Sequence, residues 1–133
     1  MEQGKKILLD TNFLMLPAQL KVDIFTEFER ICNYRYSIYI LDKNIDELDK
    51  IIKTAKQKDK TSAKVAKELL KAKNINIIST ENRTQNVDDI IIEQAKKHDF
   101  IVATSDKELK TRLRLQKIKL ISLRKGKFLI TSN

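Results

Sequence analysis

A chain of 133 residues, 41% of them apolar, with a formal net charge of +9 and one cysteine, is long enough for one domain spanning 1–133 and short for two. The lone Cys32 excludes a disulfide framework and a thiolate metal site and fits a reducing cytoplasm, and two glycines exclude a glycine-rich phosphate-binding loop. No apolar run approaches the ~18 residues that a membrane span needs, and the opening MEQGKKILLD has too short an apolar run for a secretory signal.

Residues 5–9 read as a strand. VDIFTEFERI, 22–31, sets Val22, Phe25, Phe28 and Ile31 at helical intervals and predicts an amphipathic helix. YSIYIL, 36–41, is a second strand. The next segment, 43–53, is helical with Ile45, Leu48, Ile51 and Ile52 on one face. A basic helix over 59–73 turns Val65, Ala66, Leu69 and Leu70 inward. INIIS, 75–79, is a third strand, followed by a helix at 86–98, a strand at 100–104 and a helix at 106–114. Strands at 118–123 and 127–131 flank RKGK, which predicts a hairpin turn at Gly126. Strands alternating with helices give an α/β fold with a mainly parallel sheet.

Charge is unevenly placed. Residues 53–73 carry a net +6 and residues 107–127 a net +8, so the rest of the chain sums to −5. Two basic segments that flank an acidic remainder are either solvated helix faces or a footprint for a phosphate backbone.

Two strands run straight into acids: ILLDTN (7–12) ends on Asp10, and FIVATSD (100–106) on Asp106. Each acid has a structural reading of its own. Asp10 can start a turn. Ser105 and Glu108 have capping-box spacing, with Asp106 favoured at the positive end of a helix dipole. Asn44 and Glu47 repeat that spacing, and Asn86 can cap the helix that holds Asp88 and Asp89. Yet all of these acids lie where a strand ends or the next helix starts, which in a parallel α/β sheet is one edge. Carboxylates crowded there repel one another, a conflict that a hard divalent cation removes. At about 100° per residue, Asp88 borders the apolar face of its helix and Asp89 lies nearly opposite. Glu47 flanks the apolar face of its own helix, whereas Asp46 and Asp49 read as solvated. The single His98 ends a helix and suits a C-terminal cap, and the aromatics read as core.

The ordered set of ILLDTNFLM, the helical Glu47, DDIIIEQA and IVATSDKELKTRLR resembles the PIN-domain nucleases over nearly the whole chain. It is most similar to archaeal proteins of the ribosomal-RNA-processing branch, with VapC-type toxins more distant. With no distinct small zinc module after the last strands of this sequence, a PIN–zinc-ribbon arrangement is not expected. The resemblance implies a three-layer α/β/α sandwich with a C-terminal strand pair. It also implies a metal-dependent endoribonuclease that cleaves RNA phosphodiesters with activated water, in ribosomal-RNA processing or RNA turnover. Asp10, Glu47, Asp88 and Asp106 would ligate one or two Mg²⁺ or Mn²⁺ ions, with Asn12 and Thr104 orienting ligands or water and Asp89 in support. Lys64, Lys67, Lys71, Arg112 and Arg114 would meet RNA phosphates. Partners would be RNA, a second copy docked through exposed helices such as 19–32, and an antitoxin or a ribosome-assembly factor, with no membrane.

Other classes fit less well. A haloacid-dehalogenase phosphatase wants D-x-D, but the third position is Asn12; a response-regulator receiver wants an acid pair near the first strand. A non-catalytic RNA-binding factor on the same fold, and a ribonuclease toxin, are the alternatives that metal-dependent cleavage and a partner gene would separate.

Overall fold

The computed structural model describes residues 4–80 and 84–132. Its centre is β1 (Lys5–Leu9), whose sequence KKILL leads from lysines into buried aliphatics. Side chains of a strand alternate between faces. Ile7 and Leu9 therefore enter one hydrophobic cluster and Leu8 the other.

On the Ile7 side lie α1 (Thr11–Leu20), α2 (Ile24–Ile31), α3 (Asp42–Thr54) and α4 (Gln57–Ala72), contributing Phe13, Leu14, Phe28, Leu48 and Ala66 among others. On the Leu8 side, α5 (Val87–His98) and α6 (Lys107–Leu115) bring Ile90, Ile91, Leu109 and Leu113. Between these layers β1 pairs in parallel with β2 (Tyr36–Leu41) on one side and β4 (Phe100–Ala103) on the other. β3 (Asn76–Ile78) extends the sheet beyond β2, and β5 (Leu120–Arg124) beyond β4. β6 (Phe128–Ser132) closes the edge antiparallel to β5. The order β3-β2-β1-β4-β5-β6 is thus an α/β/α sandwich whose strand order reverses between β1 and β4. In such sheets the crevice for function opens beyond the carboxyl ends of those two strands.

The hairpin turn is set by backbone sterics. Lys125 and Gly126 both have positive φ, 55° and 67°, and Lys127 N–H donates to the Arg124 carbonyl at 3.1 Å. That is a type I′ turn, whose twist matches the paired strands.

The structure adds α1, which the periodicity did not predict. Phe13, Leu14, Met15 and Leu16 are all buried in succession, so the middle of this helix shows no apolar–polar period, and Pro17 inside it looks like a breaker. Residues 19–32 are not one exposed helix. α1 stops at Leu20, Lys21 turns with φ 54°, and Asp23 opens α2 by accepting from the N–H groups of Phe25 and Thr26. Ile24 and Phe28 of α2 are wholly buried, which leaves that helix a narrower outer face than the sequence suggested. Asn44 is not a cap, because α3 already begins at Asp42. Asp106, not Ser105, is the N-cap of α6, its side chain accepting from Leu109 N–H. His98 is the last residue of α5, and Asp99, at φ 56°, takes the cap position. No described helix is long and apolar enough to cross a membrane.

Candidate active site

Asp10 directly follows the last residue of β1 and is the N-cap of α1, so the strand-to-helix switch itself fixes its carboxylate. Its backbone N–H continues the ladder to the Ala103 carbonyl at 3.0 Å. Oδ1 accepts from Thr11 N–H at 2.8 Å, and Oδ2 from the Thr104 hydroxyl at 2.9 Å. Thr104 Oγ1 in turn accepts from Asp106 N–H at 3.1 Å. A short polar chain therefore runs from the start of α6 across the end of β4 to the end of β1. Thr104 is fully buried in it.

From the other layer, Glu47 of α3 is held by Thr11, whose hydroxyl donates to Oε1 at 2.5 Å. Asp88 lies in the first turn of α5. Asp10, Glu47, Asp88 and Asp106 line one cavity of about 400 Å³ together with Thr11, Asn12, Lys50 and Ile51. Glu47 and Asp88 also line an adjoining cavity of about 550 Å³ with Lys43, Asp46, Gln85, Asn86 and Val87. Among the described residues no three Asp, Glu, His or Cys side chains are drawn tightly enough together to form a ready-made metal cage. The carboxylates stand around the walls of a space.

Two of them feel the arrangement electrostatically. Burial pushes the Asp10 carboxyl up to about 6, against the lowering effect of the bonds from Thr104 and Thr11; the charges of Asp88 and Glu47 push the same way as burial. Asp88 is also raised, first by burial and then by the charge of Asp106, with Arg112 opposing.

Asp89, one residue along α5, does not line the cavity. It pairs with Arg112 of α6, Oδ1 to Nη2 at 2.6 Å, while Asn86 caps the helix through Asp89 N–H. The other expected phosphate contacts are spread out. Lys67 of α4 pairs with Asp49 of α3, and Lys64 and Lys71 are exposed on α4, as Arg114 is on α6. Both ion pairs are more than a third exposed, where such pairs contribute only about 0–1 kcal/mol, so either cation can exchange its partner for a phosphate at small cost. Lys50 escaped notice in the sequence. It follows Glu47 by three positions on α3 and is, among the described residues, the one cation in the wall of the four-carboxylate cavity. Its signal was available, since positions three apart on a helix share a face.

A mainly parallel sheet whose order reverses at a cavity walled by acids from separate elements is the arrangement expected from the resemblance to the PIN class of α/β/α protein. The chain belongs to the PIN family, the model of the PIN like domain matching residues 7–126. Among curated proteins it is similar to Ribonuclease VapC4 of Methanocaldococcus jannaschii, 34% identical over 124 residues that cover 92% of this chain and 93% of the relative. It is also similar to Ribonuclease VapC9 of Archaeoglobus fulgidus, 28% identical over 120 residues, 90% of this chain and 83% of the relative. In fold it is similar to the PIN domain endonuclease Utp24, with a TM-score of 0.76 and 22% identity over 96% of this chain and 90% of that one. A domain of a functionally unknown protein from Methanocaldococcus jannaschii follows at a TM-score of 0.60 and 18% identity, covering 90% and 91%.

Proposed function

We propose that this protein is a metal-dependent endoribonuclease that hydrolyses RNA phosphodiesters, with Asp10, Glu47, Asp88 and Asp106 as the residues that hold Mg²⁺ or Mn²⁺. The observation that carries this is the meeting of those carboxylates, from both helical layers, in one cavity at the switch point of the sheet. The kinship with proteins named as ribonucleases supports it.

The residues fit a hard cation. Every charged donor is a carboxylate, and the Asp10 and Asp88 carboxyls are raised first by burial and then by neighbouring carboxylates, a burden that a bound cation would relieve. A loose wall suits Mg²⁺ better than a cage would. That ion keeps several of its waters and is usually held by only one or two carboxylates plus substrate phosphate. When bound, the ion supplies a water acidified enough to attack near neutral pH and positive charge for the departing oxygen. The chain's own part is to hold and orient. Thr11 and Thr104 fix the carboxylates of Glu47 and Asp10, and Asn12, exposed at the cavity wall, is placed to meet water or ribose.

Lys50 offsets acid repulsion of the substrate. Lys50→Glu is expected to raise KM for RNA about tenfold at low salt, with kcat changed less and the effect shrinking as salt is added. An unchanged KM would remove Lys50 from the substrate path.

The direct test is cleavage of labelled structured and single-stranded RNAs in Mn²⁺, Mg²⁺ or EDTA. Cuts that need the metal and leave 5′-phosphate ends establish the activity; binding of RNA without cleavage in any metal would make the protein a binding factor on a nuclease fold. For the cellular role, processing or turnover of RNA stands beside that of a ribonuclease toxin, which the VapC-named relatives favour. Growth arrest on expression, relieved by a small protein encoded next to it, would decide for the toxin.

A further inference from the structure

An asparagine is a costly choice for the inner face of α3. Asn44 is completely shielded from solvent, one turn before Glu47 on the same helix as the buried Leu48. Its amide can face only one way. Nδ2 donates to Thr11 Oγ1 at 2.6 Å and to Glu47 Oε1 at 3.2 Å. Turned over, the amide oxygen would confront the Glu47 carboxylate. The orientation taken leaves Oδ1 buried with no hydrogen-bond partner. An unpaired buried carbonyl weakens a fold, and an aliphatic residue of similar shape would not carry that penalty. The two bonds from Nδ2 are thus set against an unpaired Oδ1, and stability alone gives little reason for Asn44.

Its neighbours do. Thr11 Oγ1 accepts from Asn44 and in turn donates a hydrogen bond to Glu47 Oε1. Thr11 is buried and directly follows Asp10, so the Thr11–Asn44 bond ties α3 to the end of β1 across the two walls of the cavity. Both donors reach the same carboxylate oxygen. Among the described residues Oε2 receives no hydrogen bond, while Glu47 itself is exposed at the cavity wall.

We propose that Asn44 is a positioning residue: with Thr11 it occupies Glu47 Oε1, locks the side chain and reserves Oε2 for a divalent cation. This rests on the metal-holding role of Glu47 given above. A glutamate otherwise loses side-chain freedom when it binds an ion, and partners that fix it beforehand remove that cost from the binding step.

The test compares the parent with Asn44→Leu, which is close in shape, and with the smaller Asn44→Ala. Mn²⁺ binding is titrated calorimetrically, thermal unfolding is followed in EDTA, and kcat and KM for RNA are measured at limiting and saturating Mn²⁺. Asn44→Leu is expected to melt at or above the parent temperature. Both variants should bind Mn²⁺ about tenfold or more weakly, the size of effect typical of residues that orient a ligand. Their kcat should fall at limiting Mn²⁺ and recover when it is raised, with KM for RNA unmoved. A folded variant that binds Mn²⁺ within about twofold of the parent overturns the positioning role alone. A parent that binds no Mn²⁺ overturns the metal site and this inference with it.

Discussion

Asp10→Asn is expected to abolish cleavage, by about 10³-fold or more, while making the metal-free protein more stable. The loss follows from removing a buried ligand at the switch point. A bound ion is worth several kcal/mol of transition-state charge stabilisation, and about 4 kcal/mol corresponds to about 10³ in rate. The gain follows from burial. Asp10 is nearly inaccessible, and its carboxyl stands at about 6 against an ordinary 3.8. Two units at about 1.4 kcal/mol each put the cost of keeping it ionised near 3 kcal/mol at neutral pH. Asparagine keeps an acceptor for Thr11 N–H and carries no charge but loses the acceptor of the Thr104 hydroxyl, which offsets about 1 kcal/mol, so about 1–2 kcal/mol of added stability in urea unfolding with EDTA is the expected result.

The direction with pH is fixed by the same shift. A carboxyl whose folded pKa lies above its unfolded one binds more protons in the native state, so native stability falls as pH rises from about 4 through about 6 and stays low above it. Asp88, also raised, adds to the trend. In Asp10→Asn that slope should flatten. With Mn²⁺ present the ranking should invert, because the parent then gains binding free energy and the variant gains little. A variant that cleaves RNA at the parent's rate, or that unfolds more easily than the parent in EDTA at neutral pH, would mean that Asp10 is a helix cap and nothing else.

Why some of this was legible in the sequence and some was not has physical causes. Strands that run from apolar residues straight into Asp10 and Thr104 announce themselves, because a chain leaving a buried strand has to reach solvent at a defined edge. The alternation of strands and amphipathic helices gave the mainly parallel α/β sheet for the same reason: α2, α3 and α5 each bury one face, as Phe28, Leu48 and Ile91 do. α1 was hidden because four consecutive buried residues, Phe13 to Leu16, erase the period that marks a helix, and its Pro17 misdirects. The caps at Ser105 and Asn44 misled because capping spacing recurs by chance, and only the backbone tells which residue precedes the first turn. Asn44 was misjudged more deeply. Its spacing to Glu47 suggests only a cap, and nothing local reveals that it is buried against Thr11 of α1. Lys50 was legible from its spacing to Glu47, but among so many lysines only the cavity wall singles it out.

Asp106 offers the cleanest separation of chemistry from scaffolding, because its two duties use different properties of the side chain. As N-cap of α6 it accepts from Leu109 N–H at 3.0 Å, a task for any suitably placed side-chain oxygen. As a member of the cavity it contributes charge, which is felt at Asp88 as an upward push on that carboxyl. Asp106→Asn keeps the cap acceptor and removes the charge. The favourable interaction with the helix dipole is lost, worth about 0.3–1 kcal/mol, but so is repulsion with Asp88, and the fold should stay within about 0.5 kcal/mol of the parent. Asp106→Ala removes the cap as well and should cost about 1 kcal/mol more than Asn. If the charge holds the ion, both variants lose cleavage by about 10²–10³-fold and both lose the Mn²⁺-induced rise in melting temperature, despite their different stabilities. Activity that instead follows stability, nearly intact in Asp106→Asn and reduced only in Asp106→Ala, would return Asp106 to the role of a cap and leave the catalytic burden on the acids of β1, α3 and α5.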